Sequence, residues 1–373
     1  MKILQVGKFH PIIGGVEKVM FDLTSGFAAR GIDCDMLCAN NDTTVRKLTI
    51  KELTPRNRII ICPTWKKLFA TMISPAMIRE LKHRCNEYDI IHIHHPDPMA
   101  ALALYMSGYK GKVVLHWHSD ILKQANLLKL YKPLQNWMIG RASVIVGTTP
   151  IYIKESPFLK SVQGKCTYLP IGINEIERNE KAVQAIRNQY PGKKIIFSLG
   201  RLVEYKGYKY LIDAAKDLDD DYIILIGGSG PLRDTLQAQI DANNLNSKVR
   251  LLGRVSDEDL PNYYHATDLY CLSSTMKTEA FAIVQIEAMA CGKPVVSTRI
   301  PGSGVAWVNA DQESGLTVDV CNAKALSDAI RNILGNTELY DKLAKGARAR
   351  YENVFRKETM IDRCLDIYGS LNG

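Results

Sequence analysis

The sequence predicts an α/β protein of two domains, each built on a parallel sheet, and three observations carry that expectation. At 373 residues the chain exceeds what one hydrophobic core normally organises. Short apolar, strand-like runs alternate with helical patterns along its length. The alternation breaks once near the middle, at Tyr168-Leu169-Pro170-Ile171-Gly172-Ile173-Asn174, where Pro and Gly precede a polar stretch rich in Asn and Glu.

In the first half the strand-like runs are residues 3–6, 58–62, 90–94, 113–116 and 143–146. The first is too short an apolar run for a signal peptide and reads as a buried strand. Gly14-Gly15-Val16-Glu17 then opens a helix with Val19, Met20, Leu23 and Phe27 on one face, and paired glycines let backbone come close to a phosphate or sugar. Residues 121–141 set Leu127, Leu130, Tyr131, Leu134, Trp137 and Met138 at helical spacing with Lys123, Lys129, Lys132 and Arg141 among them. That pattern suits either a core-packed helix with a basic outer face or a helix lying on a membrane surface.

The second half repeats the theme, with strands at residues 195–199, 222–226, 249–252, 269–272 and 294–298 and helices at 207–217, 231–243 and 257–266. Residues 352–368 form a last helix, which could cap the second domain or cross back to the first. Ligands of open parallel sheets lie beyond the carboxyl ends of the strands, so two such sheets facing each other would make an interdomain cleft.

Several strand ends carry chemistry. Arg201 and Lys206 follow residues 195–199 and can neutralise a leaving diphosphate, Arg as a fork of donors and Lys as a mobile charge. Thr278 to Val296 sets Glu279 before a helix start and Glu287 within the helix, which Gly292 and Pro294 stop. Free amides of Phe281, Ala282 and Ile283, with the positive end of the helix dipole, suit a diphosphate. Eight helical steps cover roughly 12 Å, about the span of a nucleotide-sugar from hexose to ribose. Gly227-Gly228-Ser229-Gly230-Pro231 reads as another ligand-side loop, but Arg233 stands where a dinucleotide fingerprint needs its third Gly, which weakens an NAD reading. Ser256, after Gly253-Arg254-Val255, can cap the helix that follows.

In the first half, His116-Trp117-His118-Ser119-Asp120 ends a strand, so alternate side chains face opposite ways and one His can face a ligand. His92, His94 and His95 invite a metal reading, but no further ligands at fitting spacing stand out, and the segment reads as a buried strand end. Asp219-Asp220-Asp221 lies between a helix and a strand and reads as a solvated turn.

Hydrophobic content of 46% and charged content of 23% match soluble globular proteins and exclude a disordered chain. Nine scattered Cys with no CxxC pair fit reduced cytosolic thiols, not a disulfide framework or a zinc ribbon. A net charge of +9 leaves room for an anionic membrane surface as a partner. Nucleic acid is not expected, because no recognition motif or basic run interleaved with exposed aromatics is present. No segment has the apolar length to cross a bilayer.

The stretch from Thr278 to Val296 closely resembles the Glu-x7-Glu motif of retaining glycosyltransferase family four, whose members have the two-domain GT-B fold. It departs from the family at Ala280 and Ala282, where Gly is usual. The resemblance covers nearly the whole chain, and it implies residues 1–172 as the acceptor domain, 173–350 as the nucleotide-sugar donor domain and 351–373 as a helix crossing back to the first.

By the same resemblance, Arg201 and Lys206 match the phosphate clamp. Gly14 and Gly15 form the entry loop over donor phosphates or acceptor, and Arg254 and Val255 belong to the base-contacting loop. Glu279 orients the sugar and Glu287 the ribose. His118 stands near the anomeric centre or acceptor hydroxyl, with Asp120 orienting it or the acceptor. The implied reaction is same-face hexosyl transfer without a metal or a cofactor beyond the nucleotide-sugar.

The details look most like bacterial mannosyl- and rhamnosyl-type members that build surface polysaccharides. GDP-mannose is the first donor expected and a UDP-sugar the alternative. The acceptor would be a glycan or polyprenyl-linked oligosaccharide, and the protein would be cytoplasmic, peripheral at the inner face of the cell membrane. A nucleotide-sugar epimerase of the same fold and a non-catalytic binding module are the rival readings. Nucleotide-sugar without acceptor separates the three: slow hydrolysis, an isomerised sugar, or no change.

Overall fold

A computed structural model describes residues 1–12, 14–68, 71–121 and 125–371, with the backbone alone at 125–129. They form two compact units, Met1–Gly172 together with the chain from Lys357 onward, and Ile173–Arg356.

The first unit holds an eight-stranded sheet, in spatial order Cys166–Tyr168, Val144–Gly147, Lys112–Trp117, Ile90–His95, Lys2–His10, Asp33–Asn40, Asn57–Cys62 and Thr49–Thr54. All pairings are parallel except the last, where Thr49–Thr54 runs antiparallel along Asn57–Cys62. Asp33–Asn40 is a central strand that the apolar pattern does not announce, because Asp33 and Asp35 interrupt it. Asp35 is tolerated in the interior because Arg58 donates to both its carboxylate oxygens, at 3.2 and 2.6 Å, and the Tyr88 hydroxyl donates at 2.7 Å.

The last helix, Lys357–Gly369, belongs to this unit. It buries Met360, Ile361, Cys364 and Tyr368, and Gly26 is bare to admit Ile361, whose Cδ1 would lie 2.1 Å from an added Cβ. The helix starts later than residue 352, because Tyr351–Phe355 forms a separate wide turn within the second unit.

The second unit holds six parallel strands, in order Val249–Gly253, Tyr222–Gly227, Lys194–Leu199, Leu269–Leu272, Val295–Arg299 and Gly315–Asp319. Ile196, Ile224, Ile226, Leu269 and Val296 line one sheet face and pack against Leu211, Ile212, Leu236, Ile240, Ile330 and Ile333 from the helices. The order reverses between Lys194–Leu199 and Leu269–Leu272, and in the first unit between Lys2–His10 and Ile90–His95. At such a reversal the following loops diverge to opposite faces and leave a crevice at the strand ends.

All nine cysteines are free thiols. Among the described residues, no helix is long and apolar enough to cross a membrane.

Candidate functional site

The reversal in the second unit brings together two of the expected site residues. Lys206 sits in a short turn, Glu204–Lys206, that leaves strand Lys194–Leu199, and Glu279 sits in the loop after Leu269–Leu272. Lys206 Nζ donates to Glu279 Oε2 at 2.5 Å, and Ser274 Oγ donates to the same oxygen at 2.8 Å. The Lys206 and Glu279 side chains are only 10% and 11% exposed. The turn after Lys206 is pinned by Gly207, at φ +67°, where a Cβ would lie 2.1 Å from the Ser273 carbonyl oxygen. Ser274, which the motif reading did not single out, therefore helps fix the Glu279 carboxylate. Its signal in the sequence is position alone, just after a buried strand.

Four residues past Glu279 the helix Ile283–Ala290 begins, with Ala282 as its cap at φ 62° and no side-chain cap. The amides of Phe281, Ala282, Ile283 and Val284 find no acceptor among the described residues. An uncapped helix start with free N–H groups favours an anion. Glu287, one turn along, accepts from the Tyr264 hydroxyl at 2.5 Å, and burial drives that phenol well above its ordinary pKa. Glu287 is thus held in place by a neutral donor.

Arg201 differs from Lys206. It is exposed and makes no side-chain hydrogen bond or ion pair among the described residues, so its guanidinium remains available. The loop it occupies lies directly on the Gly227–Pro231 loop: the Gly200 amide donates to the Gly227 carbonyl at 3.0 Å and the Leu202 amide to Ser229 at 3.0 Å. A Cβ on Gly228 would lie 1.9 Å from the Gly200 oxygen, and one on Gly230 2.4 Å from that of Leu202. These glycines serve loop-on-loop packing. Arg254 is exposed and Val255 half-buried against Gly227, and Ser256 Oγ accepts from the Asp259 amide at 3.0 Å, ordering the turn that leads into helix Leu260–Ala266. Asp221 and Asp220 pair with Lys194 and Lys248 at 3.0 and 3.2 Å, at the amino end of strand Tyr222–Gly227 and away from these loops.

In the first unit Gly14 caps helix Gly15–Ala29, and the buried Glu17 carboxylate folds back so closely that a Cβ on Gly14 would lie 2.1 Å from Oε2. His116 and His118 share one face of their strand, two residues apart, with ring centroids at 3.9 Å, while Trp117 turns to the other face and stacks on His95 at 3.8 Å. Both histidines, not one, face the same way. His118 Nε2 lies 2.9 Å from His94 Nδ1. Asp120 does not orient His118: its Oδ1 accepts from Trp117 Nε1 at 2.9 Å and Ser156 Oγ at 2.7 Å, bracing the strand end. His118 is instead held by its neighbour histidines, and burial keeps its imidazole well below the ordinary pKa and hence neutral.

In the segment 121–141 the helix spans Ala125–Arg141. Met138, Ile139 and Gln135 are buried and Leu130 is 82% exposed. Lys123 lies outside the described residues, as do the side chains of Leu127 and Lys129.

Two α/β units on largely parallel open sheets have the architecture of the GT-B fold, and the family comparisons make the chain a glycosyltransferase. The description "Glycosyl transferases group 1" matches residues 179–350, and "Glycosyltransferase Family 4" matches residues 13–174. The chain belongs to glycosyltransferase family four. It is 28% identical to the O-antigen chain mannosyltransferase C of Escherichia coli, over 100% of this chain and 99% of that one. It is 29% identical to a D-rhamnosyltransferase of Pseudomonas aeruginosa, over 95% of this chain and 92% of that one. Among solved structures, sucrose-phosphate synthase from Thermosynechococcus elongatus superposes with a TM-score of 0.80 at 22% identity, covering 100% and 99% of the two chains. Anabaena HepE in complex with UDP gives 0.78 at 21%, covering 99% and 100%.

Proposed function

We propose that this glycosyltransferase is a retaining hexosyltransferase that moves mannose from GDP-mannose to a hydroxyl of a glycan or polyprenyl-linked oligosaccharide during surface polysaccharide synthesis. The buried Lys206–Glu279 pair beside the free amides of Phe281 to Ile283 carries this reading. In it, the amides, Lys206 and the exposed Arg201 take up charge on the departing diphosphate. Lys206 commits one N–H to Glu279 and keeps two for the phosphate oxygens. Glu279, fixed by Lys206 and Ser274, accepts hydrogen bonds from the sugar hydroxyls, and Glu287, fixed by Tyr264, accepts from the ribose. Arg254 and Val255 contact the base.

Gly14, Gly15, His118 and Asp120 are assigned to the entry loop and acceptor side. Attack comes on the face the leaving group departs from, with a diphosphate oxygen helping to remove the acceptor proton. No metal or cofactor enters these steps. The mannosyl and rhamnosyl transfer in the names of the full-length relatives supports the donor and the polysaccharide setting. The net charge of +9 supports peripheral attachment at the inner face of an anionic membrane.

The test is a thermal-shift panel of GDP-, UDP- and ADP-sugars, followed by incubation of the best ligand with and without acceptor. Stabilisation by GDP-mannose and slow mannose release without acceptor are expected. Stabilisation by UDP-sugars alone would move the donor to that class, an isomerised sugar would make the protein an epimerase, and no shift with any nucleotide would end the reading. Glu279→Ala should abolish transfer, at least a hundredfold, while GDP still shifts the melting temperature; turnover equal to wild type would remove Glu279 from the sugar.

A further inference from the structure

The first unit contains a polar interior that, His118 apart, the proposed transfer does not use. Strands Ile90–His95 and Lys112–Trp117 pair in parallel with His94 opposite His116. Side chains two apart on either strand therefore share a face, and His92, His94, His116 and His118 converge on one side of the sheet. The first three have no solvent exposure. One ligand atom from each of His92, His94 and His116 lies within 4.8 Å of the others.

Buried ring nitrogens normally have partners, yet His92 Nε2 and both nitrogens of His116 have none among the described residues. The other ring positions are braced from behind. His92 Nδ1 lies 2.5 Å from the Tyr368 hydroxyl, and His94 Nε2 lies 2.7 Å from Gln5 Oε1. Gln5 Nε2 in turn donates to that hydroxyl at 3.2 Å, which ties the two braces together. A carbamoyl oxygen only accepts, so His94 carries its proton on Nε2 and presents a lone pair at Nδ1. An oxygen behind one ring nitrogen and a lone pair at the other is how metal-binding imidazoles are held in general. Burial keeps all three rings neutral, with His116 lowered to about 3, so the lone pairs are not lost to protons.

We infer that His92, His94 and His116 form a buried site for a divalent transition metal of the zinc type. Three neutral imidazoles suit zinc and its first-row neighbours, not calcium or magnesium, which prefer oxygen. Bonds of about 2.0 Å put tetrahedral nitrogens about 3.3 Å apart, so nitrogens now within 4.8 Å of one another close by up to about 1.5 Å, and the stacked His92 and His94 rings, 9° apart in plane, tilt toward the ion on binding. His94 exchanges its bond to His118 for the metal and releases His118 Nε2. The ion links two strands and, through Tyr368, the last helix. His95, the third member of the triad read from the sequence, faces Trp117 and takes no part.

The experiment is a titration of the metal-stripped full chain with Co2+, read by visible absorption, and with Zn2+, read by elemental analysis after gel filtration. One equivalent per chain and a tetrahedral cobalt spectrum are expected, with both lost in His92→Ala and His116→Ala. No binding above the buffer blank, or retention by both variants, overturns the site. Where a variant fails to fold by circular dichroism, X-ray absorption of the zinc-loaded wild type decides: three imidazole nitrogens support it, and sulfur or carboxylate ligands refute it. These readouts do not depend on the donor, so they stand or fall apart from the transferase reading.

Discussion

At the scale of single residues, Lys206 and Arg201 illustrate how two cations in one loop can differ in what they cost. Lys206 is buried against Glu279, so Lys206→Ala strands a carboxylate that keeps, among the described residues, the Ser274 hydroxyl alone. Breaking a buried pair from one side costs about 3 kcal/mol, because the remaining charge has lost both water and partner. Removing both should cost less than the two single losses together. Urea denaturation of Lys206→Ala, Glu279→Ala and the double variant should show a coupling above about 1 kcal/mol, and additivity within about 0.5 kcal/mol would mean that the pair does not form in solution. Arg201 is exposed and unpaired among the described residues. Arg201→Ala should therefore leave stability within about 0.5 kcal/mol of wild type while weakening nucleoside-diphosphate affinity about tenfold by calorimetric titration. A melting point that falls with Arg201→Ala would instead make this side chain part of the framework.

At the scale of an element, the helix Ile283–Ala290 starts from an unusual residue. Ala282 holds φ 62°, ψ 75°, a conformation that a side chain disfavours by about 1 kcal/mol or more and that Gly adopts freely. Ala282→Gly should leave stability unchanged or raise it by up to about 1 kcal/mol, relief of strain offsetting the looser unfolded chain. At an unstrained helix position the same change would cost stability. A loss above 1 kcal/mol on thermal unfolding would show that the Ala282 methyl is needed for packing.

Other elements separate what the sequence discloses from what it hides. Tyr222–Gly227 is legible because a strand buried on both faces reads as an unbroken apolar run, and Ile90–His95 is legible from its three isoleucines although His92, His94 and His95 interrupt the run. Asp33–Asn40 is hidden because its buried Asp35 depends on Arg58 and Tyr88, which lie far along the chain. Gly315–Asp319 is hidden because an edge strand can be short and polar, and its Gly is set by the Val295 carbonyl, 1.8 Å from where a Cβ would stand. The pairing of Lys206 with Glu279, each placed after a strand end, is legible from motif order. The supports Ser274, Tyr264 and Gln5 are not, since only the folded chain brings them near.

At the scale of the whole molecule, histidine is distributed unevenly. His92, His94, His95, His116 and His118 are all buried in the first unit and all held well below the ordinary imidazole pKa by burial, whereas the second unit contains only His265. The sign follows from which state binds more protons. The unfolded chain takes up protons below about 6.5 and the folded unit does not, so stability is fully present above that value and drains away as the pH falls, at about 1.4 kcal/mol per group per pH unit. From pH 7 to pH 5.5 the five groups together remove up to about 6 kcal/mol, most of the stability of an ordinary domain. The loss should fall on one unit. Hydrogen exchange in chelator at the two pH values, corrected for intrinsic rates, should show lost protection in strands Ile90–His95 and Lys112–Trp117 and preserved protection in Lys194–Leu199 and Tyr222–Gly227. Equal losses in both sets, or none in either, would mean that these imidazoles are protonated in the folded protein and that their burial is not what the packing of the two strands implies.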